Sequence, residues 1–328
     1  MDTRRPLIVI SQPVAPSAVT RLRTMAEVEM GEDGSRIMAR PDLLERVRRA
    51  EGLFHLMHDV VDAEMIAAAT KLRVIASMAI IPATVDVAAA TARRIPVTTI
   101  PPIVTEATAD LNWALLMAVA RRVAEGDAAL RRGIFPGSQS DHFAGASVCG
   151  KTIGIVGLGR IGRAVARRAR GFDMRILYTK RSRLSEADER ELGATYVPLE
   201  DLLRQADFVS INAAFTPATR HLIGAGELSL MKPSAFLVNT SRGPLVDEGA
   251  LAEALRSRRI AGAGLDVYEH EPLVHPGLLS LTHVVLTPHL GSAVAELREQ
   301  MAHVVVENIQ AVIRGERPPN LYNREVYP

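Results

Sequence analysis

Short apolar runs alternate with amphipathic stretches through the first hundred residues of the chain. Residues 7–10, 52–56 and 73–76 are rich in Val, Ile, Leu and Phe and predict strands. Residues 14–25, 41–50 and 62–70 place their apolar positions at helical spacing and predict the helices between them. This alternation predicts a parallel sheet covered by helices. The segment Ile95-Pro96-Val97-Thr98-Thr99-Ile100-Pro101-Pro102 breaks the pattern with three prolines and predicts an extended crossing between domains. One long helix is then expected from Thr105 to about Arg132, with Trp113, Leu115, Leu116 and Met117 forming an apolar stripe that suits a core helix also packed against a partner subunit. A second strand–helix series opens at Lys151, with strands predicted at residues 175–178, 208–211, 235–238 and 284–286. A Val- and Ala-rich helix is expected from beyond Ser292 to about Arg314, and the proline-containing tail 315–328 reads as surface-bound. No fixed-period repeat is present.

Composition narrows the class without naming a chemistry. A length of 328 residues suggests about two domains, each able to bury its own core. Hydrophobic residues make up 48% and charged residues 23%, the balance of a globular chain and not of a disordered one. The net charge of +2 argues against a nucleic-acid-coating protein. A single cysteine, Cys149, excludes an intrachain disulfide and suits a reducing compartment. The longest apolar stretch, residues 113–120, is far short of the roughly 20 residues a membrane span needs. The N-terminus has neither the apolar length nor the cleavage site of a signal peptide, so the expected address is the cytoplasm.

The segment Ile153-Gly154-Ile155-Val156-Gly157-Leu158-Gly159-Arg160-Ile161-Gly162 carries the first readable chemistry. A glycine triplet of this spacing is weak alone, but here it follows an apolar strand and opens a helical run. Gly157 suits the tight turn, Gly159 the close approach of backbone amides to a pyrophosphate, and Gly162 the packing of helix on strand. The plain alternative is a tight strand–helix turn with no ligand. About twenty residues on, where an acid accepts hydrogen bonds from the ribose of NAD, the chain reads Tyr178-Thr179-Lys180-Arg181-Ser182-Arg183. Lys180, Arg181 and Arg183 suit a 2′-phosphate, so NADPH is expected, with NADH possible but weaker. The alternative is a solvated basic loop.

Three further segments follow in order: Asn239-Thr240-Ser241-Arg242-Gly243-Pro244-Leu245-Val246-Asp247, Ala263-Gly264-Leu265-Asp266-Val267-Tyr268-Glu269-His270-Glu271-Pro272, and Leu286-Thr287-Pro288-His289-Leu290-Gly291-Ser292. With the glycine motif they resemble the signature motifs of the D-isomer-specific 2-hydroxyacid dehydrogenases, over about residues 43–319, and the Thr179 to Asp247 region most resembles the glyoxylate and hydroxypyruvate reductases of that family. The resemblance implies a catalytic set of Arg242, Glu271 and His289. Reduction of a 2-oxo acid needs a hydride, a proton for the developing alkoxide and a cation for the carboxylate. His289 suits the proton donor, Glu271 its orienting partner, and Arg242 the carboxylate clamp. Each has a plain alternative: a structural histidine, a turn residue, an arginine paired with a nearby acid. The resemblance further implies that Thr108, Thr179, Ser182, Thr240 and Gly291 contribute to the cofactor site, that Arg160 and Ile161 present amides to the pyrophosphate, and that Asp266 bonds the carboxamide. A carboxylate at a buried strand end needs a partner in any case.

The resemblance departs at Ser77-Met78-Ala79-Ile80-Ile81-Pro82-Ala83-Thr84, where the family carries a glycine-containing loop whose amides receive the substrate carboxylate. Met78, Ala79 and Ile80 are the expected substrate contacts, in a pocket reshaped or more apolar than a glyoxylate reductase's. A bulkier 2-oxo acid is therefore a competing substrate. The related phosphite dehydrogenases carry a lysine where Ile80 stands, which counts against phosphite. His55 and His58 lack patterned acidic or sulfur neighbours, and no metal is expected.

The expected architecture is α/β, with two doubly wound parallel-sheet domains: a flavodoxin-like substrate domain of residues 1–100 plus 292–328, and a Rossmann dinucleotide-binding domain of residues 101–291. A cleft between them is expected to hold the site, with hinges near Pro101 and Gly291. A homodimer is expected, with no nucleic-acid or membrane partner. The competing class is a non-catalytic dinucleotide-sensing protein, since transcriptional corepressors exist on the same scaffold.

Overall fold

Buried apolar tetrads build the first sheet. In the computed structural model, which describes residues 4–139 and 141–327, the order of elements begins β1 (Leu7–Ile10), α1 (Pro16–Arg23), β2 (Glu27–Met30), α2 (Arg40–Arg49), β3 (Gly52–His55), α3 (Ala63–Ala68), β4 (Val74–Ser77), α4 (Val87–Ala92) and β5 (Val97–Thr98). Every residue of β1, β3 and β4 is buried, as expected for parallel strands covered on both faces. The strands pair in parallel in the order β2-β1-β3-β4-β5, which is the flavodoxin-like order. Asp62 and Asp86 cap α3 and α4, each accepting from a backbone amide at 2.9 Å. The C-terminal helix Ala295–Ile313 packs against α1 and β4 in this same unit, which comprises the described residues up to Ile103 and those from Ala293 onward.

Two features of this unit depart from the sequence reading. The prolines of residues 95–102 do not prevent β5 from forming, because the strand is only two residues long and lies between them. The tail is also more than a surface strap. Thr98 pairs antiparallel with Leu321, and buried Asn323 accepts from the Val97 amide at 2.8 Å and donates to the Ile95 carbonyl at 3.0 Å, so the tail finishes the edge of the sheet.

The second unit, Val104–Ser292, continues with α5 (Thr105–Ala120), α6 (Val123–Arg131), β6 (Thr152–Val156), α7 (Arg160–Ala169), β7 (Arg175–Thr179), α8 (Glu186–Leu192), β8 (Ala194–Tyr196), α9 (Leu199–Gln205), β9 (Phe208–Ile211), α10 (Ala225–Leu230), β10 (Phe236–Asn239), α11 (Glu248–Arg256), β11 (Gly262–Leu265), α12 (Pro276–Leu279) and β12 (Val284–Leu286). Seven parallel strands run in the order β12-β11-β10-β9-β6-β7-β8. The order reverses between β6 and β9, the switch point at which a doubly wound sheet opens a crevice beyond its strand ends. The single helix expected from Thr105 to Arg132 is two helices. The amide of Ala146 takes the Ala120 carbonyl at 2.8 Å, and Arg122 turns the chain in a left-handed conformation (φ 54°) while its guanidinium holds Glu125 at 2.8 Å. α5 is the core helix, with Trp113 stacked on Phe172 at 4.7 Å between ring centroids. Exposed apolar side chains instead gather on and just after α6, at Val123, Leu130, Ile134 and Phe135. Among the described residues no helix is long and apolar enough to cross a membrane.

Candidate active site

The glycine loop is shaped by its neighbours. Gly157 has φ 93°, and a Cβ there would lie 2.5 Å from the Ala213 amide nitrogen, so the turn between β6 and α7 requires glycine. A Cβ on Gly162 would lie 2.3 Å from the Gly157 carbonyl oxygen, whereas Gly159 faces open space at the first turn of α7. One glycine therefore sets the turn, one seats the helix on the strand, and one leaves a bare backbone at a helix N-terminus, where Arg160 and Ile161 begin the helix. These residues fit a pyrophosphate group, which such a terminus favours through its amides and partial positive charge.

At the end of β11, Asp266 is fully buried. Its Oδ1 accepts from the Thr287 hydroxyl and the Leu290 amide, both at 2.6 Å, and its Oδ2 from the Gly291 amide at 2.9 Å. Burial raises the Asp266 carboxyl above the usual carboxylate range, and these hydrogen bonds oppose that shift. The partners that a buried strand-end carboxylate needs are thus the backbone and hydroxyl of the 287–291 turn. That turn carries His289 in a left-handed conformation (φ 56°), its amide bonded to the Asp266 carbonyl at 2.9 Å. The Thr108 hydroxyl of α5 donates to the Gly291 carbonyl at 3.1 Å and closes the turn from the other side.

His289 Nδ1 lies 2.8 Å from Glu271 Oε2, and Glu271 Oε1 accepts from the Tyr268 amide at 3.0 Å. Burial raises the Glu271 carboxyl, but the hydrogen bond and charge of His289, the Tyr268 amide and the Arg242 charge outweigh it, and the net shift is downward. Glu271 is therefore a carboxylate that accepts from Nδ1–H, leaving His289 Nε2 without a hydrogen bond among the described residues. Arg242 follows β10, and its guanidinium donates to the Ser241 carbonyl at 2.6 Å. No carboxylate lies within ion-pair distance of it among the described residues. Burial lowers its pKa, with Glu271 opposing. A desolvated guanidinium beside a histidine–carboxylate pair can hold an anionic group while the free ring nitrogen exchanges a proton.

Residues 113–291 match the model of the D-isomer specific 2-hydroxyacid dehydrogenase NAD binding domain. A glyoxylate reductase of Thermococcus litoralis is 46% identical over 326 residues, covering 98% of each chain. The chain belongs to the D-isomer specific 2-hydroxyacid dehydrogenase family. It is an oxidoreductase with a nicotinamide dinucleotide-binding domain. Among solved structures, a Thermus thermophilus protein superposes with a TM-score of 0.88 at 43% identity, covering 96% of this chain and 99% of that one. An NADPH-dependent glyoxylate/hydroxypyruvate reductase from Sinorhizobium meliloti does so with a TM-score of 0.79 at 32% identity, covering 98% and 99%.

The remaining expected site residues of this dehydrogenase fall in three places. Thr179 ends β7, where its carbonyl accepts from the Gly157 amide at 2.9 Å, and Ser182 and Arg181 are exposed beyond it. Lys180 is half-buried, and neither it nor Arg181 is in an ion pair among the described residues. Arg183 is committed elsewhere: its guanidinium grips Glu189 through two bonds of 2.8 Å and lies over the Tyr196 ring. Thr240 follows β10 and is buried, accepting from Asn112 Nδ2 at 3.1 Å. In the first unit, Met78 and Ala79 are buried and Ile80 half-buried after β4. His55, whose possible metal role the sequence weighed, is buried between Ser77 Oγ at 2.8 Å and Thr84 Oγ1 at 3.0 Å, and burial lowers its pKa.

Sequence reasoning did not single out the Asn112–Ser210–Asn212 hydrogen-bond chain beneath the strand ends, nor Tyr268, whose hydroxyl donates to the Thr287 carbonyl at 2.8 Å. Ser210, the one polar residue of the otherwise apolar β9, was the available signal. Asp266→Asn sets an NH2 group against a backbone N–H that now has an acceptor. The expected result is a loss of about 1–3 kcal/mol of stability in denaturant titration, with kcat lowered on the order of tenfold by displacement of His289.

Proposed function

We propose that this chain reduces a small 2-oxo acid of the glyoxylate or hydroxypyruvate type to the D-2-hydroxy acid, with NADPH preferred over NADH. The observation that carries this reading is the half-buried Arg242 guanidinium, in no ion pair among the described residues, beside the His289–Glu271 pair. A 2-oxo acid presents a carboxylate and an adjacent carbonyl, which match a cation and a proton donor in the same place. The bound nicotinamide supplies the hydride. Arg242 holds the carboxylate and polarises the carbonyl, and His289 Nε2 delivers the proton to the developing alkoxide while Glu271 fixes the ring and stabilises its charged form. The name glyoxylate reductase carried by relatives such as that of T. litoralis supports the substrate class.

Two further readings of the site follow from particular observations. Ile81, 51% exposed, and buried Pro82 give the 77–84 loop an apolar character that supports acceptance of a bulkier 2-oxo acid. Lys180 and Arg181, in no ion pair among the described residues just beyond β7, support the preference for a 2′-phosphate, as does the NADPH-dependence named for the S. meliloti reductase. The exposed apolar side chains of α6 and the residues after it support a homodimer through that region. The sole cysteine, exposed and free, suits a cytoplasmic enzyme.

A panel of 2-oxo acids assayed by loss of NADPH absorbance tests the function. Turnover of glyoxylate or hydroxypyruvate is expected, falling at least about 100-fold in Arg242→Ala and His289→Ala; near wild-type turnover in either variant refutes the assignment. The double variant Lys180→Ala/Arg181→Ala is expected to lower kcat/KM with NADPH by about 10- to 100-fold and leave NADH unchanged, since charge-assisted hydrogen bonds contribute ~1.5–3 kcal/mol. A wild-type enzyme equally efficient with NADH contradicts the preference. Light scattering is expected to give twice the chain mass, and a monomer removes the dimer.

A further inference from the structure

We propose that His221 is a positioning residue that locks the turn carrying Arg242 to the turn carrying Glu271. The inference rests on the roles assigned to those two residues above. Both turns lie within the second unit and meet through their backbones: a Cβ on Gly243 would sit 1.9 Å from the Tyr268 carbonyl carbon and oxygen. Residue 243 must therefore be glycine, and any slip between the turns shifts the guanidinium relative to the carboxylate.

His221 bonds to both turns at once. Its backbone amide donates to the Pro244 carbonyl at 2.8 Å, two residues after Arg242. Its ring Nε2 lies 2.8 Å from Glu269 Oε1, two residues before Glu271. The ring reaches Glu269 from a left-handed backbone (φ 51°), a conformation that a β-carbon disfavours. Glu269 is 10% exposed at its side chain, and such a carboxylate requires donors. Arg220 Nη2 supplies a second at 2.5 Å, and the Glu269 amide is held by Glu248 Oε1 at 2.5 Å. Asp247 Oδ2, 3.8 Å from His221 Nδ1, completes the charged groups facing the ring. The bond pattern continues the lock into the following residues, where Ile223 donates to the Leu245 carbonyl and Asp247 to the Ile223 carbonyl, both at 3.0 Å. His221 touches neither His289 nor Arg242 by hydrogen bond among the described residues, so its effect passes through the two turns.

His221→Asn retains a residue type that tolerates a left-handed φ and retains the amide bond to Pro244, but removes the reach to Glu269. With the full-length protein, NADPH and the best substrate of the 2-oxo acid panel, kcat is expected to fall on the order of tenfold. KM for NADPH should stay within about twofold, and the limb of the pH–rate profile set by the Glu271–His289 pair should move to lower pH. Glu269→Gln, which keeps the shape but removes the charge, is expected to move kcat and the pH limb in the same direction by a smaller factor, and provides the test if the first variant fails to fold. Wild-type kcat and pH profile in the folded variants overturn the proposal, as does a fall in thermal midpoint with no change in either. A wild-type protein that turns over no 2-oxo acid overturns the functional reading and the proposal with it, whereas wild-type turnover that survives in the variants overturns the positioning role alone.

Discussion

The buried carboxylate of Asp266 sets the geometry on which the site depends. An ionised group at the end of an apolar strand is costly unless donors surround it. Here the donors come from the segment that follows β12: the Thr287 hydroxyl and the Leu290 and Gly291 amides all point at the two carboxylate oxygens. Satisfying one buried charge therefore folds one turn, and that turn holds His289 in a left-handed conformation with its ring on Glu271. The same residue meets a stability requirement and aims the imidazole. The two effects cannot be separated by any substitution that removes an acceptor, since a donor in the 287–291 turn is then left without a partner.

The parallel sheet explains why residues far apart in sequence gather at one edge. Gly157 follows β6, Asn212 follows β9, Thr240 and Arg242 follow β10, Asp266 follows β11, and Thr287 follows β12. Parallel strands all end on the same side, so every strand contributes its next residues to one rim, and the reversal of order between β6 and β9 leaves room there. The rim is held from below by a buried polar chain in which Asn112 of α5 joins Ser210 and Thr240. The core helix thus fixes the heights of two strand ends. Arg242 then emerges into a half-buried position, where a charge interacts more strongly with an anion than it would in water.

Much of this was legible in the chain, and the omissions share a physical cause. Short runs buried on both faces, such as β1, β3 and β9, announce themselves because a mostly apolar tetrad bounded by polar or turn-forming residues is too short for a helix and suits a covered strand. β2 did not: Glu27-Val28-Glu29-Met30 is an edge strand whose residues are half-buried or exposed, so its pattern is mixed. The break at Arg122 was hidden because arginine is a good helix former, and the break is imposed from outside by residues 145 and 146 at the end of α5. Asn323 was unreadable for the same reason, as its buried bonds to residues 95 and 97 join the two ends of the first unit. In the candidate site, residue types and order pointed to Arg242, Glu271 and His289, but a residue that holds two turns together from outside has no motif. His221 and Glu269 are 48 residues apart in sequence and meet at 2.8 Å only in the fold.

The basic segment after β7 shows how a motif read as three equivalent cations divides its roles in three dimensions. A cation already held by a carboxylate is less available to a phosphate, because that pair has to be broken first. Arg183 is so held. Together with Tyr178, whose hydroxyl donates at 2.7 Å, it holds the Glu189 carboxyl down to about 2, and the Leu184 amide bonds the same tyrosine at 2.9 Å. That cluster anchors the far end of the segment onto the sheet, while the near end is anchored by the bond from Gly157 to Thr179. The intervening residues are therefore fixed at both ends, with Lys180 and Arg181 outside any ion pair among the described residues. On the proposed reading, phosphate recognition belongs to those two side chains, and Arg183 contributes by limiting the motion of the backbone that carries them. A short, tethered segment loses less conformational freedom when its cations engage an anion, which favours selectivity from only two charges.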